Sequence, residues 1–297
     1  MLTQLIKLTN VIWYLRVKKI KTELASLQLD VTSQCNLRCK TCYFFKNGSH
    51  LADDMSIKEI EILFKEYRDR PVYQLWLYGG EPSLREEIIA LAYHYFPVLT
   101  IITNGQIKIS PIYKRARLHV SLDGLEKEND YLRGQGTFQK IINNYQEDKR
   151  VIFNVTISKM NLPTLEELID YVKSLKTAGI EFQIFSRSDK STKFDKQLAL
   201  DDKDLQVVKN ILRSYHYDLK VFVTKPLINS WLKRDLSGGC ILSHDNYIHC
   251  YASDKNRKSC CTPGVICKEC KILAVHLIET VERDNDLMTK LKFALWM

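Results

Sequence analysis

The stretch Leu27-Gln28-Leu29-Asp30-Val31-Thr32-Ser33-Gln34-Cys35-Asn36-Leu37-Arg38-Cys39-Lys40-Thr41-Cys42-Tyr43 decides how this chain is read. Its first six residues alternate apolar and polar, which predicts a strand with one buried face. The polar loop that follows puts three thiols within eight residues of one another.

The same switching between periods two and 3.6 continues outward from that stretch. Helices are expected over 57–67, 84–95, 137–146 and 165–176, and strands over 73–78, 98–103, 117–122, 151–157 and 181–185. Six strands alternating with helices predict an α/β fold, a partial (β/α)6 TIM-like barrel of parallel strands joined by right-handed crossovers. Function then belongs at the strand C-termini, where the connecting loops gather. An amphipathic helix is expected over 2–24, and further helices over 204–215 and 226–236. The expected organisation is therefore an N-terminal helix (1–24), a barrel (25–236) and a small cysteine-rich C-terminal extension with a terminal helix (237–297).

Nine cysteines fall in two groups with a long gap between them. A disulfide framework spreads cysteines through a small secreted domain, whereas tight clusters in a 297-residue chain favour metal or cluster ligation in a reducing, cytoplasmic setting. The first residues lack a basic start and a small-residue cleavage site, and no apolar run reaches membrane-spanning length. The formal charge of +9 admits acidic partners. Its basic residues are dispersed and show no interleaving with aromatics, so a solvated surface is the plainer reading and nucleic acid is not an expected partner.

Three neighbouring thiolates, Cys35, Cys39 and Cys42, suit a [4Fe-4S] cubane, and because a cubane normally takes four protein sulfurs one iron is left open. Structural zinc wants a closed tetrahedron, and the nearest spare donor, His50, lies eight residues on. The spacing of three intervening residues and then two, directly after a strand and followed by Tyr43, resembles the signature of the radical S-adenosylmethionine (SAM) superfamily. That resemblance implies SAM chelated to the open iron, reductive cleavage to a carbon radical, and a low-potential electron donor of flavodoxin or ferredoxin type.

Further loops carry the same resemblance. Gly79-Gly80-Glu81-Pro82 closes the second strand; its two glycines let backbone approach a ligand, and in the family this segment contacts the amino group of SAM. Thr103-Asn104-Gly105 stands after the third strand. Ser121-Leu122-Asp123-Gly124 ends the fourth and runs on to Asn129, Asp130, Leu132, Arg133, Gly134, Gly136, Thr137 and Phe138. This string resembles the radical SAM subgroup whose C-terminal SPASM or twitch domains hold auxiliary clusters, which places Ser121 near the sugar or carboxylate of SAM. Asp123 serves equally as a turn cap. Asn154 and Thr156 alternate with apolar neighbours and are candidates for the barrel mouth, with Glu181 and Gln183 behind them.

In the tail, Cys240, Cys260, Cys261, Cys267 and Cys270 resemble the ligand set of a single auxiliary [4Fe-4S] cluster, one of Cys260 and Cys261 serving. A hairpin over 246–259 separates the first two ligands, with Lys255 where the family usually has glycine. Zinc fits four thiolates equally well. Cys250 is left over, and a spare buried cysteine usually acts as a small hydrophobe. Three functions follow for comparison: hydrogen abstraction from a peptide or protein side chain, which leads, with a small molecule as the other substrate class; radical modification of a lipid or lipid-linked sugar, with the N-terminal helix in peripheral membrane contact; and a non-catalytic zinc-binding module on nucleic acid.

Overall fold

In a computed structural model of the chain, residues 26–68, 74–233, 248–258, 264–271, 276, 288–289 and 291–292 are described. Strands β1 (Ser26–Asp30), β2 (Gln74–Tyr78), β3 (Val98–Thr103), β4 (Arg117–Ser121), β5 (Val151–Ile157), β6 (Gly179–Ile184) and β7 (Val221–Phe222) form successive parallel pairs. Alternate residues go to opposite faces. Leu27, Leu29, Leu75, Leu77, Leu118, Val120, Phe153, Val155, Ile180 and Phe182 are buried in the main apolar core. The other set, Gln28, Asp30, Trp76, Tyr78, His119, Ser121, Asn154, Thr156, Glu181 and Gln183, lines the concave side.

Helices α1 (Tyr43–Lys46), α2 (Ile57–Arg68), α3 (Glu86–Tyr95), α4 (Glu126–Arg133), α5 (Thr137–Tyr145), α6 (Leu165–Ser174), α7 (Lys193–Leu198), α8 (Asp202–Ser214) and α9 (Lys225–Lys233) fill the crossovers. Their apolar stripes explain the packing: Ile60, Leu63, Phe64 and Tyr67 of α2, for example, are all buried. The predicted alternation is present, with α1, α4, α7 and β7 added; each is eight residues or shorter, too brief for a periodic signal. The helix expected over 2–24 lies outside the described residues.

The sheet also extends beyond the six expected strands on its other side. The predicted hairpin forms as β8 (Ile248–Tyr251) and β9 (Arg257–Lys258), and β8 runs parallel to β1, giving the order β7-β6-β5-β4-β3-β2-β1-β8-β9. The end strands β7 and β9 do not pair, so the barrel is open. Tyr67 of α2 hydrogen-bonds His249 and, at 2.8 Å, the hydroxyl of Tyr251, tying the hairpin to the helical layer. At the turn, Lys255 sits at φ 70, the left-handed conformation that glycine adopts without strain. Among the described residues no helix is long and apolar enough to cross a membrane.

A buried lysine pins the chain end to the far edge. The Lys292 ammonium donates to the carbonyls of Val221 (2.7 Å), Val223 (2.9 Å) and Tyr215 (3.4 Å). Lys292→Met should cost about 1.5–3 kcal/mol, the usual worth of hydrogen bonds to a charged group. Urea titration followed by far-UV circular dichroism checks this, and an unchanged midpoint would refute the anchoring role.

Candidate active site

The three-cysteine loop is held from both sides. Past β1, the Gly80 and Glu81 amides donate to the carbonyls of Thr32 and Gln34, each at 2.8 Å. The fit leaves no room for side chains: a Cβ on Gly79, at φ 120, would meet the Thr32 oxygen at 2.6 Å, and one on Gly80 would meet the Gln34 oxygen at 1.9 Å. From the other side the Lys40 amide donates to the Leu132 carbonyl at the end of α4 (2.9 Å). Asp54 accepts from the Thr32 hydroxyl and the Ser33 amide at 2.5 and 2.6 Å.

Cys35, Cys39 and Cys42 are free, half-buried thiols on this loop. The Cys35 sulfur receives the Leu37 amide at 3.4 Å and the Asn104 side-chain amide at 3.7 Å. Burial pushes the Cys35 thiol up and pushes Cys39 to about 11, Arg133 opposing the latter. Arg133 pairs with Asp123 at 2.7 Å, while its buried Nε has no partner beside the thiols. Among the described residues no three Cys, His, Asp or Glu side chains converge at single-ion distance. A cubane needs no such convergence, because each thiolate binds a different iron, so three separate thiols beside amide donors and an unsatisfied guanidinium nitrogen fit a cluster better than zinc.

The raised pKa gives a direct test on the cluster-free chain. Thiolate is the reacting form, so at pH 8 Cys39 should alkylate with iodoacetamide about a hundredfold more slowly than a thiol of pKa 9. Its rate should climb about tenfold per pH unit up to about pH 10. Site-resolved mass spectrometry reads the rate, and a plateau by pH 9 would contradict the burial argument.

Glu81, 1% exposed, is the hub of the neighbouring loops. One carboxylate oxygen accepts from the Ser83 amide (3.0 Å), the Ser83 hydroxyl (2.7 Å) and the Thr103 hydroxyl (2.7 Å), and the other from the Asn104 amide (2.7 Å). Pro82 opens the short turn Pro82–Leu84 that brings Ser83 round. Thr103 is thus engaged with protein, and the Asn104 side chain reaches Asn36 at 2.7 Å as well as Cys35. These residues brace the cysteine loop, as does Asp123, whose carboxylate also accepts from the Thr156 amide at 3.1 Å. Ser121 is half-exposed at the end of β4, and Tyr43 begins α1 directly after Cys42.

The hairpin and tail border the same mouth. Segment 264–271 lies along the loop leaving β6, through bonds between Asp189 and Gly264, Ile266 and Arg187, and Ile184 and Lys271. Arg187 clasps Glu269 at 2.5 and 2.7 Å. This sets exposed Cys267 and buried Cys270 beside β6, the Cys270 carbonyl being held by His276 at 2.9 Å. Cys240, Cys260 and Cys261 lie outside the described residues. Cys250 faces β1 and donates to the Gln28 side chain at 3.2 Å.

Sequence reasoning missed Asn36, Trp76 and His119 as members of this region. His119 was findable: Arg117, His119 and Ser121 mark a polar period-two face on β4.

The radical SAM superfamily model matches residues 29–175, which run from the end of β1 to the end of α6 and include the cysteine loop and the loops after β2, β3 and β4. That stretch is a radical SAM domain, and the protein that carries it is an enzyme. It is 27% identical over 286 residues to a probable GTP 3′,8-cyclase of Archaeoglobus fulgidus, covering 87% of this chain and 94% of that protein. It is 25% identical over 168 residues to the sporulation killing factor maturation protein SkfB of Bacillus subtilis, covering 52% of this chain and 40% of SkfB. Among solved structures, SuiB of Streptococcus suis bound to S-adenosylmethionine superposes with a TM-score of 0.61 at 18% identity, over 93% of this chain and 70% of SuiB. The enzyme anSMEcpe with bound AdoMet and Cp18Cys peptide gives 0.63 at 16%, over 91% and 82%. These two establish the radical SAM partial-barrel fold. A radical SAM domain implies SAM and a [4Fe-4S] cluster.

Proposed function

We propose that Cys35, Cys39 and Cys42 hold the cluster and that the enzyme abstracts hydrogen from a peptide or protein side chain seated in the barrel. Bound there, a [4Fe-4S] cluster supplies the low-potential electron that splits the sulfonium of SAM to a 5′-deoxyadenosyl radical. The carbonyls of Gly79 and Gly80, to which no described residue donates, accept from the amino group of SAM, and the Ser121 hydroxyl contacts its ribose or carboxylate. Arg133, Asn104 and Glu81 position the loops that do this. Cys240, one of Cys260 and Cys261, Cys267 and Cys270 hold a second [4Fe-4S] cluster, and a flavodoxin or ferredoxin delivers the electron.

The observation that carries the reading is the three-thiol loop braced against Gly79-Gly80. Peptide as substrate rests on analogy: SkfB is a maturation protein, and SuiB and anSMEcpe have been seen with peptides. The near full-length likeness to a probable GTP 3′,8-cyclase favours a nucleotide as the second reading. Anaerobic reconstitution should give roughly eight irons per chain for two clusters, against roughly four for one. Adding SAM should alter the reduced EPR signal and release 5′-deoxyadenosine. Protein that does neither would defeat the proposal, and GTP turnover without peptide modification would select the second reading.

A further inference from the structure

Buried carboxylates in this barrel each come with compensation, and Glu181 has the least. Asp30 is paired with Lys258 at 2.7 Å, Asp123 with Arg133 at 2.7 Å, and Asp195 with Lys46 at 2.5 Å. Glu81 lacks a cation but receives four hydrogen bonds on its two oxygens. Glu181, 4% exposed on β6, has only the His119 ring nitrogen Nδ1 and the Asn154 amide, both 2.5 Å from the same oxygen, Oε1. Among the described residues no lysine or arginine pairs with it, and nothing donates to Oε2. An ionised carboxylate so enclosed is costly unless a positive charge is supplied.

The groups around Glu181 match that need. The His119 ring meets the carboxylate through Nδ1, and with one proton placed there its other nitrogen, Nε2, is an acceptor. Gln183 spends its amide nitrogen on the Thr156 hydroxyl at 3.1 Å, which leaves its oxygen as another acceptor. The Trp76 ring packs edge-on against His119 at 5.4 Å and lies nearly parallel to Tyr78 at 6.2 Å, and aromatic faces attract cations. Trp76, Asn154, Thr156 and Gln183 are half-exposed although they point into the barrel, so this wall is open to a ligand.

We infer that the concave face formed by Glu181, His119, Gln183 and Trp76 is a specificity site for a cationic, hydrogen-bond-donating group of the substrate, the ammonium or guanidinium of a lysine or arginine side chain. The inference rests on the peptide reading for its source of that cation, while the site's preference for positive charge is measurable without turnover. Glu181→Gln places an amide donor where the free carboxylate oxygen stands, keeping shape and removing charge.

The test uses the full, cluster-loaded chain with SAM and no reductant. Anaerobic calorimetric titrations compare N-acetyl-lysine amide and N-acetyl-arginine amide with N-acetyl-norleucine amide and N-acetyl-glutamic acid amide. At least one cationic probe should bind about tenfold or more tighter than norleucine, and Glu181→Gln should erase that margin while visible cluster absorbance and circular dichroism stay unchanged. Should Glu181→Gln not fold, Trp76→Leu carries the same comparison, with loss of the margin expected. Equal binding of norleucine, tighter binding of glutamate, or an undiminished lysine margin in the folded variant would overturn the inference. Retained cation preference in a protein that modifies no peptide would instead count against the proposed function alone.

Discussion

Gly80→Ala is expected to remove SAM cleavage while leaving most of the barrel folded. The added methyl would lie 1.9 Å from the Gln34 oxygen and 2.5 Å from its carbon, both backbone atoms with no rotamer to yield. Relief requires the cysteine loop to move away from β2, breaking the bonds that the Gly80 and Glu81 amides make to Thr32 and Gln34. Overpacking of this kind costs about 1–3 kcal/mol, small against a barrel of this size but concentrated where three thiols must meet one cluster. The reconstituted variant should show substoichiometric iron and 5′-deoxyadenosine at background. Wild-type iron and turnover would mean that the loops are not locked as described.

Glu81→Ala should be the most destabilising change near the site, at about 3–5 kcal/mol. The Ser83 and Thr103 hydroxyls can rotate toward other acceptors, but the Ser83 and Asn104 amides are fixed and would be stranded in a buried pocket. Glu81→Gln keeps one acceptor oxygen and sets a donor against the Asn104 amide, so its cost should be about 1–3 kcal/mol. Urea unfolding should rank wild type above Gln and Gln above Ala. Equal stability of all three would show that the carboxylate does not organise the β2 and β3 loops.

The parts of the fold legible in the sequence are those written as periodicity. Val98–Thr103 and Val151–Ile157 were delimited to the residue because β-branched residues fill them and turn residues flank them. Two-residue β7 has no period to read, and the parallel pairing of β8 with β1 is a contact across most of the chain that no local pattern encodes. Residue type and spacing single out Cys35, Cys39, Cys42 and the glycine pair, and the fold packs those two loops against each other. What spacing does not carry is partner choice. Thr103, Asn104 and Asp123 look like ligand contacts in a motif, yet their polar atoms are taken by Glu81, the cysteine loop and Arg133. Glu181 shows the converse, a residue ranked low on pattern that stands out once its neighbours are known.

The strand that feeds the cysteine loop is completed by a segment made very late. Gln28 and Cys250, which touch across the β1–β8 pair, are separated by 222 positions. At roughly 5–20 residues per second, a ribosome needs about 10–45 s to travel between them. Throughout that interval one side of β1 is an unsatisfied edge, open to any passing strand. Products of premature termination before 248 would contain the whole stretch matched by the family model yet keep that edge of β1 unpaired, and should be aggregation-prone.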